Sequence, residues 1–410
     1  MRSRENLVPY NLRLHQAAKD SGCGPTFPED IKFDDLYFQL WWFMTGRWLR
    51  HLFLITWTTL SSFYVVFAYI VYMAIFSPLY LIGGAAGTQT FIKIEEKFFN
   101  LVLEIVASWN YAANYHIIES GDSLDDILHQ TFLFLPNHQS TADVPICMSI
   151  FTSRHRCAGK IMWIMDESFK FTHFGVASQI HDDFFISCGK ENRNKSLVEL
   201  GDHLKQVFVK KNRRYLILFP EGGFLWKQRT SSHKFAQKNG LPLLQHCTLP
   251  RTSAFEVIIQ VLRPHVGSPN EGMKVEEKPI LDKIVDVTIA YPKGNPIGLL
   301  DILSAWREPC TIHVHYKVFD VNELPTIPDD MRQWMYTLYF EKEKLLEEFY
   351  RTGAFPLGVT DTKAVRMPGE LLHNPMRFLL LYCFFITSAC LFLAMFSIAY
   401  SYFFHINKIS

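Results

Sequence analysis

The chain has 410 residues, a formal net charge of +1 and no long basic face, which argues against a nucleic-acid binder. That length leaves room for one large domain or two ordinary ones. Its 49% hydrophobic content lies at the upper end for a soluble globular protein, and 35 Phe, 17 Tyr and 9 Trp suit a surface that partly faces lipid. The eight cysteines, at 23, 147, 157, 188, 247, 310, 383 and 390, contain no CxxC pair. The sequence therefore predicts neither a disulfide framework nor a zinc site, and a reducing compartment for the central region.

Residues 1–36 carry turn signals at 22–28 and little periodicity, as expected of a flexible cytosolic tail. Residues 37–48 are dense in aromatics, with Trp41, Trp42 and Trp48 near basic residues, the composition of a bilayer interface. From 52 to 82 about 31 residues pass without a charge. A straight helix of that length would measure about 46 Å against a hydrocarbon core of about 30 Å. Pro78 and the Gly83-Gly84 pair allow either a tilted span followed by an interfacial turn or a helical hairpin that enters and leaves by one face. Arg47 and Arg50 before this stretch and Lys363, Arg366 and Arg377 before the second one favour the same, cytoplasmic side, which a hairpin satisfies and two single crossings do not. That second uncharged stretch, 378–404, fits a spanning helix. Neither stretch reads as a cleaved signal peptide, and the chain is expected to be an integral membrane protein.

Between 91 and 108 apolar residues recur at helical spacing, at Ile94, Phe98, Leu101 and Ile105, with Lys93, Glu95, Glu96 and Lys97 interspersed. Beyond about 115, short apolar runs alternate with polar helical segments. Runs at 132–135, 161–165, 184–186, 215–219, 257–261, 285–290 and 311–319 read as strands, and 192–211, 231–238 and 331–350 as helices. Continuous apolar strands separated by helices imply an α/β sheet covered on both faces. Lys210, Lys211, Arg213 and Arg214 read as a solvated helix end, and 264–278 as an exposed insertion.

Two loops at predicted strand ends carry candidate chemistry. After the run ending at Pro136 comes Asn137-His138-Gln139-Ser140-Thr141-Ala142-Asp143. On a regular helix positions five apart differ by about 140°, so His138 and Asp143 meet only if the histidine sits in the loop and the aspartate in the first helical turn. There the carboxylate would fix the ring tautomer and leave the other nitrogen free to accept a proton. The alternative is a helix cap formed by Asn137 or Ser140, with His138 merely packed. The second loop, Phe219-Pro220-Glu221-Gly222-Gly223, combines a rigid proline, a carboxylate and two glycines that allow close backbone approach to a ligand. Loops at strand ends of one sheet converge on one crevice. Two other patterns weigh less. Gly121-Asp122-Ser123-Leu124 with Asp126 and His129 spells a serine-hydrolase signature whose partner should come from the far end of the domain, so it reads as a turn. His313 and His315 face one way on a strand without a third metal ligand in view.

Asn137-His138 through Asp143 resembles the HxxxxD motif, and Phe219 to Gly222 the third motif, of the glycerolipid acyltransferases related to lysophosphatidate acyltransferase. The chain is most similar to the lysophosphatidylglycerol acyltransferase branch. That resemblance is carried by Val106-Ala107-Ser108-Trp109, Met162-Trp163-Ile164-Met165-Asp166, Asp183-Phe184-Phe185-Ile186, Thr248-Leu249-Pro250-Arg251, Thr288-Ile289-Ala290-Tyr291-Pro292-Lys293, His313-Val314-His315-Tyr316 and Thr352-Gly353-Ala354-Phe355-Pro356. The resemblance implies a membrane-anchored acyltransferase domain over about 90–360, preceded by a tail and interfacial segment (1–50) and a membrane segment (51–84) and followed by the 378–404 helix. It implies acyl transfer from acyl-CoA, a co-substrate rather than a cofactor, to a lysophospholipid hydroxyl at the endoplasmic reticulum membrane. Lys408 has the position of a retrieval lysine for that compartment. His138 would be the general base, Asp143 its orienting partner, and Glu221, Gly222, Gly223 and Arg251 part of the substrate site. No metal is implied. Ser187 stands where the family's second motif has an arginine for the acceptor phosphate, so Lys190 or Arg193 would take that part. This departure also keeps open a catalytically silent lipid-binding or scaffold protein on the same fold.

Overall fold

The computed structural model describes residues 47–154, 157–187, 189, 192–263, 280–356 and 366–406. The chain divides into a unit ending at Arg50, of which only 47–50 are described, and a unit running from His51 to Ser410. The strands are β1 (His116–Gly121), β2 (Phe132–Pro136), β3 (Ile161–Asp166), β4 (Phe184–Ile186), β5 (Tyr215–Leu218), β6 (Lys283–Ala290), β7 (Thr311–Asp320) and β8 (Arg366–Glu370). The helices are α1 (Arg47–Ile82), α2 (Gly84–Ala112), α3 (Asp143–Thr152), α4 (His173–His181), α5 (Arg193–His203), α6 (Leu225–Asn239), α7 (Thr252–Leu262), α8 (Leu299–Ser304), α9 (Pro328–Thr352) and α10 (Pro375–Ile406).

All eight strands form one sheet in the order β4-β3-β5-β2-β6-β7-β1-β8. Strands β4, β3, β5, β2 and β6 run parallel, β7 is antiparallel to β6, and β1 is parallel to β7. The carboxyl ends of the five parallel strands therefore share one edge, while β1 ends at the other. Strand β2 explains why its sequence shows no polar alternation. Phe132 and Phe134 enter the core on one face, with α2 and α3, and Leu133 and Leu135 enter the core on the opposite face, with α5, α7 and α9.

Three expectations are corrected. The stretch 52–82 is not a hairpin but part of one unbroken helix, α1, with Pro78 inside it. The turn falls just after it, where Gly84 takes a positive φ of 59° and a Cβ on Gly83 would lie 2.4 Å from the Leu79 carbonyl oxygen. Helix α2 then packs back along α1, with Tyr80 against Phe91 at one end and Tyr69 against Phe99 at the other. Residues 257–261 belong to α7 rather than to a strand. Phe255, Ile258, Ile259 and Leu262 are buried at helical spacing, so the period outweighs the β-branched composition. Arg213 is no solvated helix end: it is buried, donates to Glu95 at 3.1 Å and to the Gly159 carbonyl at 2.7 Å, and shares Glu95 with His181 and with Tyr69 of α1. Burial alone pushes Glu95 up, yet His181, Arg213 and Tyr69 together bring it down to about 2.

Helix α10 packs on α1 and α2 through Tyr64 and Ser388 (3.1 Å) and through Ser108 and Tyr382 (2.9 Å). By length and composition, Trp48–Ile82 and Pro375–Tyr402 are each long and apolar enough to cross a membrane. The tail at 1–36, most of the aromatic segment, and the 264–278 insertion lie outside the described residues.

Candidate active site

At the shared carboxyl edge, Asn137 clamps the end of β2 to β6. Its side chain donates to the Ile289 carbonyl at 3.0 Å and accepts from the Ile289 N–H at 2.7 Å. The chain then turns through His138 to Ala142 and enters α3 at Asp143. Ser140 steadies the turn: its hydroxyl accepts from the Ala142 N–H at 3.0 Å and donates to the Ile297 carbonyl at 2.6 Å. Asp143, wholly buried in the first helical turn, reaches back over this loop. Its Oδ2 accepts from the Ser140 N–H at 2.8 Å and lies 3.0 Å from His138 Nδ1. Its Oδ1 accepts from the Tyr291 hydroxyl, which stands just beyond the end of β6. The helix cap expected of Asn137 or Ser140 is not formed: Ala142 caps α3 without a side-chain hydrogen bond, while Asn137 and Ser140 tie the loop to Ile289 and Ile297.

With Nδ1 on the carboxylate, Nε2 is the ring nitrogen left to accept a proton. The His138 ring is stacked on Phe219, centroids 4.2 Å apart, and flanked by Phe224 at 4.4 Å, so its orientation is fixed by packing as well as by Asp143. Its side chain keeps 11% exposure, enough to be reached.

The loop after β5 lies beside it. Glu221 is buried, and both its oxygens are occupied: Oε1 by the His138 backbone N–H at 2.7 Å, Oε2 by the Thr248 N–H at 2.9 Å and hydroxyl at 2.8 Å. Burial outweighs these donors and pushes the carboxyl up to about 7. Glu221 therefore ties together the His138 loop and the segment before Arg251. Gly222 is left-handed (φ 66°), and a Cβ there would fall 2.9 Å from Arg251 Cδ and Nε. Glycine thus lets the Arg251 side chain cross the loop to Gln228 Oε1 at 3.2 Å, where it is exposed beside the site. Gly223 leaves room for Gln228 in the same way.

The residues expected to meet the acceptor phosphate are spread more widely. Ser187, at the end of β4, donates to the Glu167 carboxylate, which also pairs with Lys170 at 3.4 Å. Arg193 opens α5 and donates to the Ser253 hydroxyl. Lys190 lies outside the described residues. Ser123 follows β1 at the opposite edge of the sheet, apart from His138. His313 packs on Phe349, and His315 on Phe355 and Ser120. Sequence reasoning missed Tyr291 and Thr248 as parts of the site. Two signals were available: Tyr291 directly follows a strand that ends at the crevice, and both residues lie in segments that carry the resemblance.

Residues 118–290 match the family model described as Acyltransferase, and residues 302–385 the one described as Acyltransferase C-terminus. The chain is 37% identical over 323 residues to the acyl-CoA:lysophosphatidylglycerol acyltransferase 1 of Mus musculus, covering 77% of this chain and 85% of that protein. This chain belongs to the acyltransferase family. Its counterpart from Homo sapiens is 36% identical over 322 residues with the same coverage. Among solved structures, the 1-acyl-sn-glycerophosphate (LPA) acyltransferase of Thermotoga maritima is similar at a TM-score of 0.42 and 14% identity, over 74% of this chain and 98% of that one. Within the family the chain is a lysophosphatidylglycerol acyltransferase-like member.

Proposed function

We propose that this acyltransferase moves an acyl group from acyl-CoA to the free hydroxyl of a lysophospholipid, lysophosphatidylglycerol or a close relative, at the endoplasmic reticulum membrane. The carrying observation is the His138–Asp143 pair, 3.0 Å apart at the carboxyl edge of the sheet with the imidazole oriented by packing. His138 Nε2 takes the hydroxyl proton as the oxygen attacks the thioester carbonyl carbon. The tetrahedral adduct collapses with cleavage of the C–S bond, and the imidazolium returns its proton to the departing CoA thiolate. Asp143 holds the ring and offsets its transient charge. No covalent enzyme intermediate and no metal are needed, and acyl-CoA is a substrate rather than a resident cofactor. Arg251, exposed across Gly222, supplies a cation for the acceptor phosphate, with Arg193 and Lys190 as further candidates. Glu221 acts by holding the loops, since its oxygens already have donors. Two long apolar helices suit a substrate that stays in the bilayer.

The test is acyl transfer from radiolabelled acyl-CoA by the purified full chain across a lysophospholipid panel. Lysophosphatidylglycerol should be acylated, and His138→Ala should lower turnover by about 10² to 10⁴. Absence of transfer to any lysophospholipid would favour a silent lipid-binding protein. Undiminished transfer by the variant would remove His138 from the mechanism.

A further inference from the structure

Asp143 is not a simple partner to the histidine. It is wholly buried and accepts from three donors on two segments: His138 Nδ1 and the Ser140 backbone N–H in the loop, and the Tyr291 hydroxyl just beyond the end of β6. The Tyr291 hydroxyl is itself fully buried. Ser140 Oγ lies 3.4 Å from it but is directed to the Ile297 carbonyl at 2.6 Å, so the phenol proton goes to Asp143. Burial, then the charge of Asp143, hold the phenol well above its usual range, and it remains a donor across the working pH.

We infer that Tyr291 is a positioning residue that sets the proton affinity of His138 by drawing on the Asp143 carboxylate. A donor on one oxygen withdraws charge from the other, and a carboxylate with less charge stabilises an imidazolium less. Tyr291 thus loosens the hold of Asp143 on the imidazolium that His138 becomes when it takes the substrate proton. This rests on His138 being the base. The other titratable groups around the pair are Cys147 on α3, Glu221 after β5 and Tyr350 on α9. Glu221 touches His138 only at its backbone N–H, and all three are the same in wild type and variant, so a displaced titration reports on Tyr291.

The experiment is the pH dependence of kcat/KM for acyl-CoA and lysophosphatidylglycerol with the purified full chain. Tyr291→Phe removes the donor and keeps the ring; its acidic limb should move up by about one pH unit, with the alkaline plateau within about tenfold of wild type. Replacing Tyr291 by 3,5-difluorotyrosine strengthens the donor and should move the limb down. A purely space-filling role predicts an equal fall at every pH with the limb unmoved, and that result overturns the inference. Should the phenylalanine variant fail to fold, the fluorinated protein decides alone, because an unmoved limb there is equally fatal. Wild-type activity in His138→Ala would instead strike the assignment of the base, leaving the two failures distinguishable.

Discussion

Replacing Glu221 by alanine separates a residue that binds substrate from one that holds the site together. The substitution leaves the His138 and Thr248 backbone N–H groups buried without their acceptor. Each such orphan costs about 1–3 kcal/mol, so stability should fall by about 2–6 kcal/mol. The loss has a pH signature. The folded value of about 7 lies above the unfolded carboxylate value, so the contribution of Glu221 to stability is full below the unfolded value and declines as pH rises through 7. The gap between wild type and variant, measured by denaturation in detergent at pH 5 and pH 8, should therefore be wider at pH 5. Transfer activity should fall by about a hundredfold even where the variant is folded, because the loop carrying His138 loses its anchor. A variant with wild-type stability and only a raised KM for the lysophospholipid would refute this reasoning and return Glu221 to the acceptor site.

Two further substitutions probe the scaffold. Glu95→Gln breaks the buried contact with His181, Arg213 and Tyr69. Since Glu95 is held down at about 2, its stabilisation is present above the unfolded value and lost as pH falls toward 2. The variant should lose about 3 kcal/mol at pH 7 and progressively less below pH 4, as read from denaturation midpoints; a pH-independent difference would count against the ion pairs. Lys342→Met leaves Asp286 buried and uncompensated where the pair now sits at 2.7 Å, and should cost about 3–5 kcal/mol. Adding Asp286→Leu should recover most of that loss, and equal damage in the double variant would mean packing matters more than charge.

The parallel strands were legible because burial on both faces writes them as short, continuous apolar runs, as in Phe132 to Leu135. β1 was not, since His116, Glu119 and Ser120 interrupt its apolar pattern in a strand that is only partly covered. The strand predicted at 257–261 failed for the converse reason. Its Val and Ile residues satisfy either structure, and only the four-then-three spacing of Phe255, Ile259 and Leu262 tells them apart. In the site, His138 and Asp143 are five residues apart, so loop chemistry could pair them. Tyr291 is 148 residues from Asp143 and reaches it only because β6 lies beside β2. Glu221 was assigned to the substrate site by the resemblance, and nothing local revealed that Thr248 donates to it.

One short segment connects α1 to the His138 loop. His51 Nδ1 lies 2.8 Å from the Ser304 carbonyl, and the Thr58 hydroxyl donates to the Leu303 carbonyl at 3.1 Å. Both contacts fix α1 to the end of α8. At the start of α8 the Leu299 N–H donates to Thr141 Oγ1 at 2.8 Å, and the Ile297 carbonyl accepts from Ser140. Helix α1 and the catalytic loop are therefore held by opposite ends of one short segment, 297–304, with no flexible linker between them. The height of His138 relative to an apolar helix is then a property of packing. Under the proposed reaction, with the acyl chain of the acceptor held in depth by a bilayer, that packing would set where along the substrate a hydroxyl meets His138.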